Sequence, residues 1–163
     1  MSESTFSIRP ATDDDLQEVL KIEKVAYPLP WTKKHFQEEL KSERSHFLVY
    51  TDDQTDSFVA GYIVFQDFID ETHILNVAVD LKWRGLGMGK KLVGYAINEA
   101  YRKSHKRVVL EVRQENTGAI AMYQSLGFEK RHIRTAFYAD GASALFMELV
   151  LQGGVSSENE SVH

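Results

Sequence analysis

A glycine-spaced turn preceded by an arginine is the stretch of this sequence with the most evident chemical use. In RGLGMG, residues 84–89, Gly85, Gly87 and Gly89 alternate with larger residues between a predicted strand and a predicted helix. Successive backbone N–H groups at the N-terminus of a helix, with no Cβ atoms in the way, form a cradle for phosphate oxygens. The pattern therefore predicts either a pyrophosphate site or a glycine-rich turn that binds nothing.

Two common phosphate-binding motifs do not fit this turn. A Walker loop needs a glycine five positions before its Gly-Lys pair and a serine or threonine after it, whereas Arg84 and Lys91 occupy those positions. A dinucleotide fingerprint needs a third glycine in the first strand–helix–strand unit of the chain, but Lys90 stands at that position and the segment lies in mid-chain. The motif that remains is Arg-x-x-Gly-x-Gly.

Three polar residues after the turn stand where predicted elements could carry chemistry. Strand alternation in RVVLEVR places Glu111 on the face opposite Leu110 and Val112. A carboxylate on a central strand faces either a cleft or an ion pair with a nearby Arg or Lys, and the residues alone favour the ion pair. Tyr123 lies on the apolar face of a short predicted helix, which is typical of a core residue, and Asn116 can cap that helix.

The first half of the chain is predicted to hold two helices and three strands. Thr12 and Thr32 are typical N-caps, and the prolines of YPLPW, residues 27–31, interrupt the helical pattern between them. The predicted strands are FSIRP (6–10), HFLVYT (46–51) and SFVAGYIVFQDF (57–68). The polar DDQTD predicts a hairpin turn between the last two strands.

The second half alternates strands and helices. THILNVAVD (72–80) and RVVLEVR (107–113) predict strands on either side of a helix, so residues 74–113 form a strand–helix–strand unit with parallel strands. A short helix over TGAIAMYQSLGF is expected to stop at Gly127, and EKRHIRTAFY and ALFMELVL predict a closing antiparallel pair. The apolar stripe predicted for the long helix is Leu92, Val93, Ala96, Ile97, Ala100 and Tyr101.

Composition narrows the possible function classes. A formal net charge of -5, from 24 acidic and 19 basic side chains, argues against direct nucleic-acid binding. The sequence has no cysteine, which excludes disulfides, thiolate metal sites and cysteine nucleophiles. The six histidines lack the spacing of metal ligands, so no metal is expected, and His73 is predicted to lie at the surface.

The apolar runs and the amino-terminal stretch predict the cellular compartment of the protein. The longest apolar run, FVAGYIVF, is the size of a strand and far shorter than the roughly 18 residues of a membrane span. The opening MSESTFSIRP lacks the basic and apolar regions of a secretory signal. A cytoplasmic protein without membrane association is the prediction.

Several motifs in a fixed order resemble those of the GNAT superfamily of acetyl-CoA-dependent N-acetyltransferases. They are YPLPW, NVAVD, RGLGMG, LEVRQEN, AMYQSLGF and RTAFY, within a resemblance that runs from about Ser7 to Leu151. Within the superfamily, the sequence is similar to the ribosomal-protein alanine N-acetyltransferases. The resemblance implies a GNAT fold of the α/β (α+β) class, with a mixed central sheet of about six to seven strands flanked by about four helices. Residues 1–152 would form one acetyltransferase domain and residues 153–163 a polar C-terminal tail.

The same resemblance implies a reaction. Acetyl-CoA is the expected cosubstrate, and its acetyl group passes directly to an α-amino group. Because that amine has a pKa near about 8, it must lose a proton before it attacks. Glu111 matches the family's general base, acting directly or through a water, and Tyr123 matches the general acid that protonates the departing thiolate.

Further residues are assigned to the cosubstrate and the acceptor by the resemblance. The expected cofactor-binding residues are Val77, Ala78 and Val79 through their backbone, together with Arg84, Gly85, Leu86, Gly87, Met88, Gly89 and Asn116. The candidates for a peptide groove are Tyr27, Pro28, Trp31 and Tyr138. Phe137 departs from the family pattern, since a tyrosine is expected at that position and its hydrogen bond is therefore missing.

The favoured function is acetylation of a protein N-terminus, with the N-terminal alanine of a small-subunit ribosomal protein as the implied substrate. Two alternatives stay open. A GNAT enzyme for a small amine or a protein lysine would share the RGLGMG turn, and a coenzyme A-sensing domain would be expected to lack Glu111 or Tyr123, although both are present. A monomer is the predicted state because one domain can account for the apolar faces.

Overall fold

A computed structural model describes residues 6–52 and 58–151. The strands are β1 (Phe6–Pro10), β2 (Ser45–Asp52), β3 (Val59–Phe68), β4 (Glu71–Val79), β5 (Arg107–Arg113), β6 (Glu129–Arg134) and β7 (Ala144–Val150). The helices in these ranges are α1 (Leu16–Ala26), α2 (Lys33–Lys41), α3 (Met88–Arg102) and α4 (Thr117–Ser125). The predicted DDQTD turn, apart from Asp52, and the predicted tail 153–163 lie outside the described residues.

The seven strands form a mixed sheet in the order β1-β2-β3-β4-β5-β7-β6. β4 and β5 are parallel, while β1–β2, β2–β3, β5–β7 and β6–β7 are antiparallel. The predicted α/β class, with a mixed sheet and about four helices, is confirmed. The predicted strand–helix–strand unit is confirmed as well, because α3 connects the parallel strands β4 and β5.

The chain divides into two compact units. Within the described residues, the first unit comprises the chain up to Gln66 together with Asn76–Val93, and the second comprises Asp67–Leu75 and the chain from Gly94 onward. Strands β3 and β4 and helix α3 each contribute residues to both units. No helix in residues 6–52 and 58–151 is both long and apolar enough to cross a bilayer.

Aromatic rings and one helical stripe form the core of the first unit. The Phe36 ring lies 5.4 Å from the Phe47 ring and 5.7 Å from the Tyr62 ring, which it meets edge to face. Such contacts between large apolar side chains supply much of the burial free energy of a small unit. The buried residues of α1 are Leu16, Val19, Ile22 and Glu23.

The second unit is built around β5, which pairs with β4 on one side and β7 on the other. Arg107 of β5 and Glu148 of β7 are among the buried charged residues of this unit. The Arg107 guanidinium lies 2.7 Å from Glu71, and the Glu148 carboxylate accepts a hydrogen bond of 3.1 Å from Arg131. These pairs keep the buried charges compensated, as buried ionic groups require.

Most predicted element ends agree with the structure. The Thr32 hydroxyl accepts a 3.2 Å hydrogen bond from the His35 N–H at the start of α2, and Gly127 follows α4 with a φ of 102°. Thr12, by contrast, precedes a 3-10 turn over Asp13–Asp15, and α1 begins only at Leu16.

Two predictions were wrong, one about the extent of β6 and one about the burial of a residue on α3. β6 ends at Arg134 rather than continuing through RTAFY, and Ala136 has a left-handed φ of 52°, which a strand cannot accommodate. The stripe of α3 is buried at Leu92, Val93, Ala96 and Ala100, but Tyr101 is 52% exposed. Tyr101 stands next to the last residue of α3, at the edge of the stripe, where its ring lies against solvent.

Candidate active site

The RGLGMG turn leads into α3 with an exposed backbone. Gly85 and Gly87 have φ values of 82° and 81°, a left-handed conformation that residues with a Cβ rarely adopt. A Cβ built at either glycine would meet no heavy atom within 4 Å, so the space beside the turn is open. An exposed turn with N–H groups at the start of a fifteen-residue helix suits an anion.

The side chains of the turn have different surroundings. Arg84 folds back, and its Nε donates a 3.1 Å hydrogen bond to the carbonyl of Val79 at the end of β4. Leu86 is 61% exposed, whereas the Met88 side chain is buried in the first unit. Of the predicted cofactor residues in the turn, Met88 can therefore contribute its backbone but not its side chain.

The last residues of β4 lie beyond its pairing with β5. The parallel ladder covers Glu71–Ile74 and Arg107–Leu110, and β4 then continues to Val79. The carbonyl of Val77 accepts a hydrogen bond from the Tyr27 hydroxyl. The carbonyls of Val77 and Val79 thus already accept hydrogen bonds, from Tyr27 and Arg84, although a carbonyl oxygen has a second lone pair.

A buried glutamate holds the segment between α1 and α2. The Glu23 carboxyl group, 1% exposed, accepts hydrogen bonds from the Trp31 N–H at 2.8 Å, from the Asn76 amide at 2.9 Å and from the Tyr62 hydroxyl. Glu23 therefore fixes the end of YPLPW against strands β3 and β4 of the same unit. Pro28, by contrast, is exposed.

Glu23 was missed at the level of sequence, but a signal was present. It stands seven residues after Leu16, on the apolar stripe of α1, where a glutamate does not fit a simple hydrophobic face. Two of its three partners, Tyr62 and Asn76, come from distant strands, so the sequence could not have identified them.

Replacing Glu23 by alanine is expected to lower the free energy of unfolding by about 3–5 kcal/mol, because three buried donors lose their acceptor and each costs about 1–3 kcal/mol. Urea denaturation followed by fluorescence measures this. Glu18→Ala on the same helix is the matched control, since Glu18 makes only an exposed pair with Lys21, and we expect a change below about 0.5 kcal/mol. Equal stabilities for the two variants would contradict a supporting role for Glu23.

Glu111 pairs with a histidine rather than with the predicted Arg or Lys. His73 lies opposite Val109 in the parallel ladder, and Glu111 is two residues further along β5, so the pleat puts both side chains on one face. The His73 Nε2 atom is 2.7 Å from the Glu111 carboxylate, and the side chains are 33% and 20% exposed. His73 is thus partly exposed, as predicted, but its ring is also hydrogen bonded to Glu111, which was not predicted.

Opposing effects act on the protonation of Glu111. Burial alone raises the pKa of its carboxyl group, but the hydrogen bond with His73, the electrostatic interaction with that ring and the positive charge of Arg134 outweigh burial. The resulting pKa of Glu111 lies below its usual value, so the group is ionised throughout the neutral range.

Tyr123 and Tyr138 lie in the same unit as Glu111. Tyr123 is 5% exposed, and burial, with a smaller effect from Tyr138, raises the pKa of its phenol well above the usual value. The Arg113 guanidinium lies 4.5 Å from the centre of the Tyr138 ring and contacts that ring on one side. The same guanidinium is paired with Asp140 at 2.8 Å. Burial raises the pKa of the Tyr138 phenol as well, so both phenols stay protonated at neutral pH.

Asn116 caps α4, which is one of its two predicted roles. Its side-chain oxygen accepts a 3.2 Å hydrogen bond from the Ala119 N–H. The amide nitrogen of an asparagine capped in this way remains a donor for another group.

Within residues 6–52 and 58–151, no three His, Asp or Glu side chains come close enough together to hold a metal ion.

The predicted site residues thus fall into two sets. The first unit holds Tyr27, Pro28, Trp31, Val77–Val79 and the RGLGMG turn, and the second holds Glu111, Asn116, Tyr123 and Tyr138.

Comparison with known proteins identifies the family. Residues 16–128 match the model of the acetyltransferase (GNAT) family. A ribosomal protein bS18-alanine N-acetyltransferase of Salmonella typhimurium is 33% identical over 135 residues, which cover 83% of this chain and 87% of that protein. An N-alpha-acetyltransferase of Sulfurisphaera tokodaii is 31% identical over 157 residues, which cover 87% of this chain and 91% of the relative.

A solved structure agrees with these relatives. The crystal structure of the ribosomal-protein-S18-alanine N-acetyltransferase from Escherichia coli superimposes with a TM-score of 0.80 at 31% identity, covering 95% of this chain and 98% of that one. The matched fold, the family model and the relatives lead to one conclusion: this chain belongs to the GNAT family of acetyltransferases, which use acetyl-CoA as the acetyl donor.

Proposed function

We propose that this enzyme acetylates the N-terminal amine of a protein, and that its substrate is the N-terminal alanine of a small-subunit ribosomal protein. The observation that carries the proposal is the half-buried carboxylate of Glu111, ionised and held on one face of β5. The two relatives named for an N-terminal amine and an N-terminal alanine support the choice of substrate. A ribosomal substrate would place the enzyme in the cytoplasm.

Acetyl-CoA supplies the thioester, and the substrate amine attacks its carbonyl carbon. Glu111 is the general base of this proposal: it drives the loss of a proton from the substrate ammonium, directly or through an intervening group such as a water. The nitrogen lone pair then forms the new C–N bond as the C–S bond breaks. Tyr123, which is protonated at neutral pH, donates a hydrogen bond to the departing sulfur.

The first unit carries the groups proposed to bind coenzyme A. The backbone N–H groups of residues 84–89 would hold the pyrophosphate, and the open space beside Gly85 and Gly87 leaves room for it. The backbone of Val77–Val79, beyond the β4–β5 ladder, would pair with the pantetheine arm. In the second unit, the amide of Asn116 would add a polar contact to the cosubstrate.

Tyr27, Pro28, Trp31 and Tyr138 are proposed to contact the substrate peptide. Pro28 is exposed, and the Trp31 ring packs 5.2 Å from Phe36 while Glu23 fixes its backbone. Aromatic side chains with fixed positions and partly exposed rings suit a short peptide segment, because little conformational entropy is lost when it binds.

The proposal is tested by acetylation of synthetic peptides, followed by mass spectrometry. The panel contains hexapeptides that begin with Ala, Ser or Met, an N-blocked peptide with one internal lysine, and a polyamine. Acetylation at the α-amino group of the Ala peptide is the expected result. Preference for the lysine peptide or the polyamine would overturn the proposed substrate, and no product with any acceptor would overturn the proposed reaction.

Replacing Tyr123 by phenylalanine is expected to lower kcat about 10- to 100-fold, because the leaving sulfur loses its hydrogen-bond donor. The aromatic ring and its edge-to-face contact with Phe128 are retained, so the melting temperature should stay close to that of the wild type. Steady-state kinetics and thermal unfolding measure the two quantities. Tyr95→Phe, at an exposed position of α3, is the matched control. An unchanged kcat in Tyr123→Phe would exclude Tyr123 as the acid.

A further inference from the structure

His73 is the residue near the proposed base that no role yet explains. Its Nε2 lies 2.7 Å from the Glu111 carboxylate, the distance of a charge-assisted N–H···O⁻ hydrogen bond. Because the carboxylate can only accept, Nε2 carries the proton in this pair, and a neutral ring then has its lone pair on Nδ1. Among the described residues none hydrogen bonds to Nδ1, and the side chain is 33% exposed.

We propose that His73 Nδ1 accepts the proton of the substrate amine, and that Glu111 acts through His73 by holding the ring in the tautomer with the proton on Nε2. This rests on the proposed function and specifies the intervening group of its base. The arrangement is the one that a carboxylate and an imidazole adopt wherever the ring serves as a base and the carboxylate orients it.

The proton balance of this step is simple. One N–H bond of the ammonium breaks and an Nδ1–H bond forms, giving a neutral amine and an imidazolium paired with the Glu111 carboxylate. The imidazolium then releases that proton to water, to which the half-buried ring has access. The second proton lost by the nitrogen during amide formation balances the thiolate of coenzyme A, which leaves as the thiol.

The low basicity of Glu111 argues against direct proton transfer from the substrate to its carboxylate. The pKa of Glu111 lies below its usual 4.5. Proton transfer to it from an amine of pKa about 8 is therefore unfavourable by more than about 3000-fold. An ionised carboxylate of low basicity is instead well suited to stabilise the imidazolium.

Other titratable and charged groups lie near the pair. Arg134 on β6 acts on Glu111 through its positive charge, and the Tyr138 phenol is raised in pKa by burial and by the charge of Glu111. Phe146 lies opposite Glu111 on β7, and His132 stacks on Phe146 with ring centres 4.8 Å apart. His132 is thus the other histidine that could affect a pH profile and must be controlled.

The test is the pH dependence of kcat for the Ala peptide at saturating substrates, between pH 5 and 9. In the wild type we expect kcat to fall on the acid side of the profile, because a protonated His73 ring can no longer accept a proton. In His73→Gln, whose amide can still donate to Glu111, we expect the plateau to fall about 100-fold and this acid limb to disappear. His132→Gln, the matched control, should keep both plateau and limb.

A second variant tests the proton acceptor by chemical rescue. His73→Ala leaves space for a small base, and added imidazole is expected to restore kcat at least tenfold, whereas the same concentration should not affect Glu111→Gln. A wild-type plateau and limb in His73→Gln would overturn the role of His73. If the wild type acetylates no peptide, the proposed function fails; if it acetylates the Ala peptide and only His73→Gln behaves as wild type, the proposed function stands and this inference fails.

Discussion

Replacing Gly87 by valine is expected to abolish coenzyme A binding, with Kd raised at least about 100-fold, an effect of about 2.7 kcal/mol or more. Gly87 has a φ of 81°, and a β-branched residue in this conformation is strained by about 1–2 kcal/mol. Its Cβ would meet no heavy atom of the protein within 4 Å, so the added methyl groups would project into the space assigned to the pyrophosphate. Isothermal titration with coenzyme A measures the affinity.

The control for this substitution is Gly94, a glycine within α3. Gly94 also has no heavy atom within 4 Å of a built Cβ, but its φ is not left-handed. Gly94→Ala should leave Kd unchanged and raise the stability by about 0.5–1 kcal/mol, because alanine is the better helix former. Gly87→Ala, with a smaller side chain, covers the case in which the valine variant fails to fold. Wild-type affinity in either folded Gly87 variant would contradict the assignment of the turn to phosphate.

Local features of this fold could be predicted because neighbouring residues determine them. Thr32 caps α2 through the N–H of the third residue after it, and Gly127 ends α4 because it reaches a left-handed φ at no steric cost. The glycines at 85 and 87 follow the same logic. For such features, the sequence within a few residues contains nearly all the determinants.

Contacts between strands could not be predicted in the same way. His73 and Glu111 are separated by 38 positions, and they meet because His73 is opposite Val109 in the β4–β5 ladder. Both strands are largely apolar runs, so a shift of two residues in register would bury almost the same side chains. The sequence therefore indicated that Glu111 has a partner but favoured the wrong residue type.

Buried polar groups were the other feature beyond the sequence. Tyr27 belongs to a helix break that predicts either a pocket or ordinary packing, and in the structure its hydroxyl binds the Val77 carbonyl. Glu23 is similar, since its partners on β3 and β4 lie 39 and 53 positions away. A polar residue on an apolar stripe indicates that a buried group needs hydrogen-bond partners. The identity of those partners, however, is determined by the tertiary packing.

Replacing Glu111 by glutamine is expected to lower kcat about 100- to 10,000-fold while coenzyme A affinity stays within about twofold of the wild type. The amide keeps the size of the carboxyl group but has no charge, so it neither stabilises an imidazolium on His73 nor accepts a proton itself. Residues 84–89, which are proposed to hold the pyrophosphate, belong to the other compact unit and are not altered by the change. Steady-state kinetics and isothermal titration measure the two effects.

The matched control is Glu129→Gln, because Glu129 is 69% exposed and pairs only with Arg131, so kcat should change less than twofold. Equal losses of kcat and coenzyme A affinity in Glu111→Gln would make Glu111 a structural residue. The residual activity of Glu111→Gln also has a defined pH dependence. If His73 accepts the proton, the imidazole limb persists at a much lower plateau, because the ring still titrates without its carboxylate. If Glu111 accepts the proton itself, the residual rate should follow only the ionisation of the substrate amine.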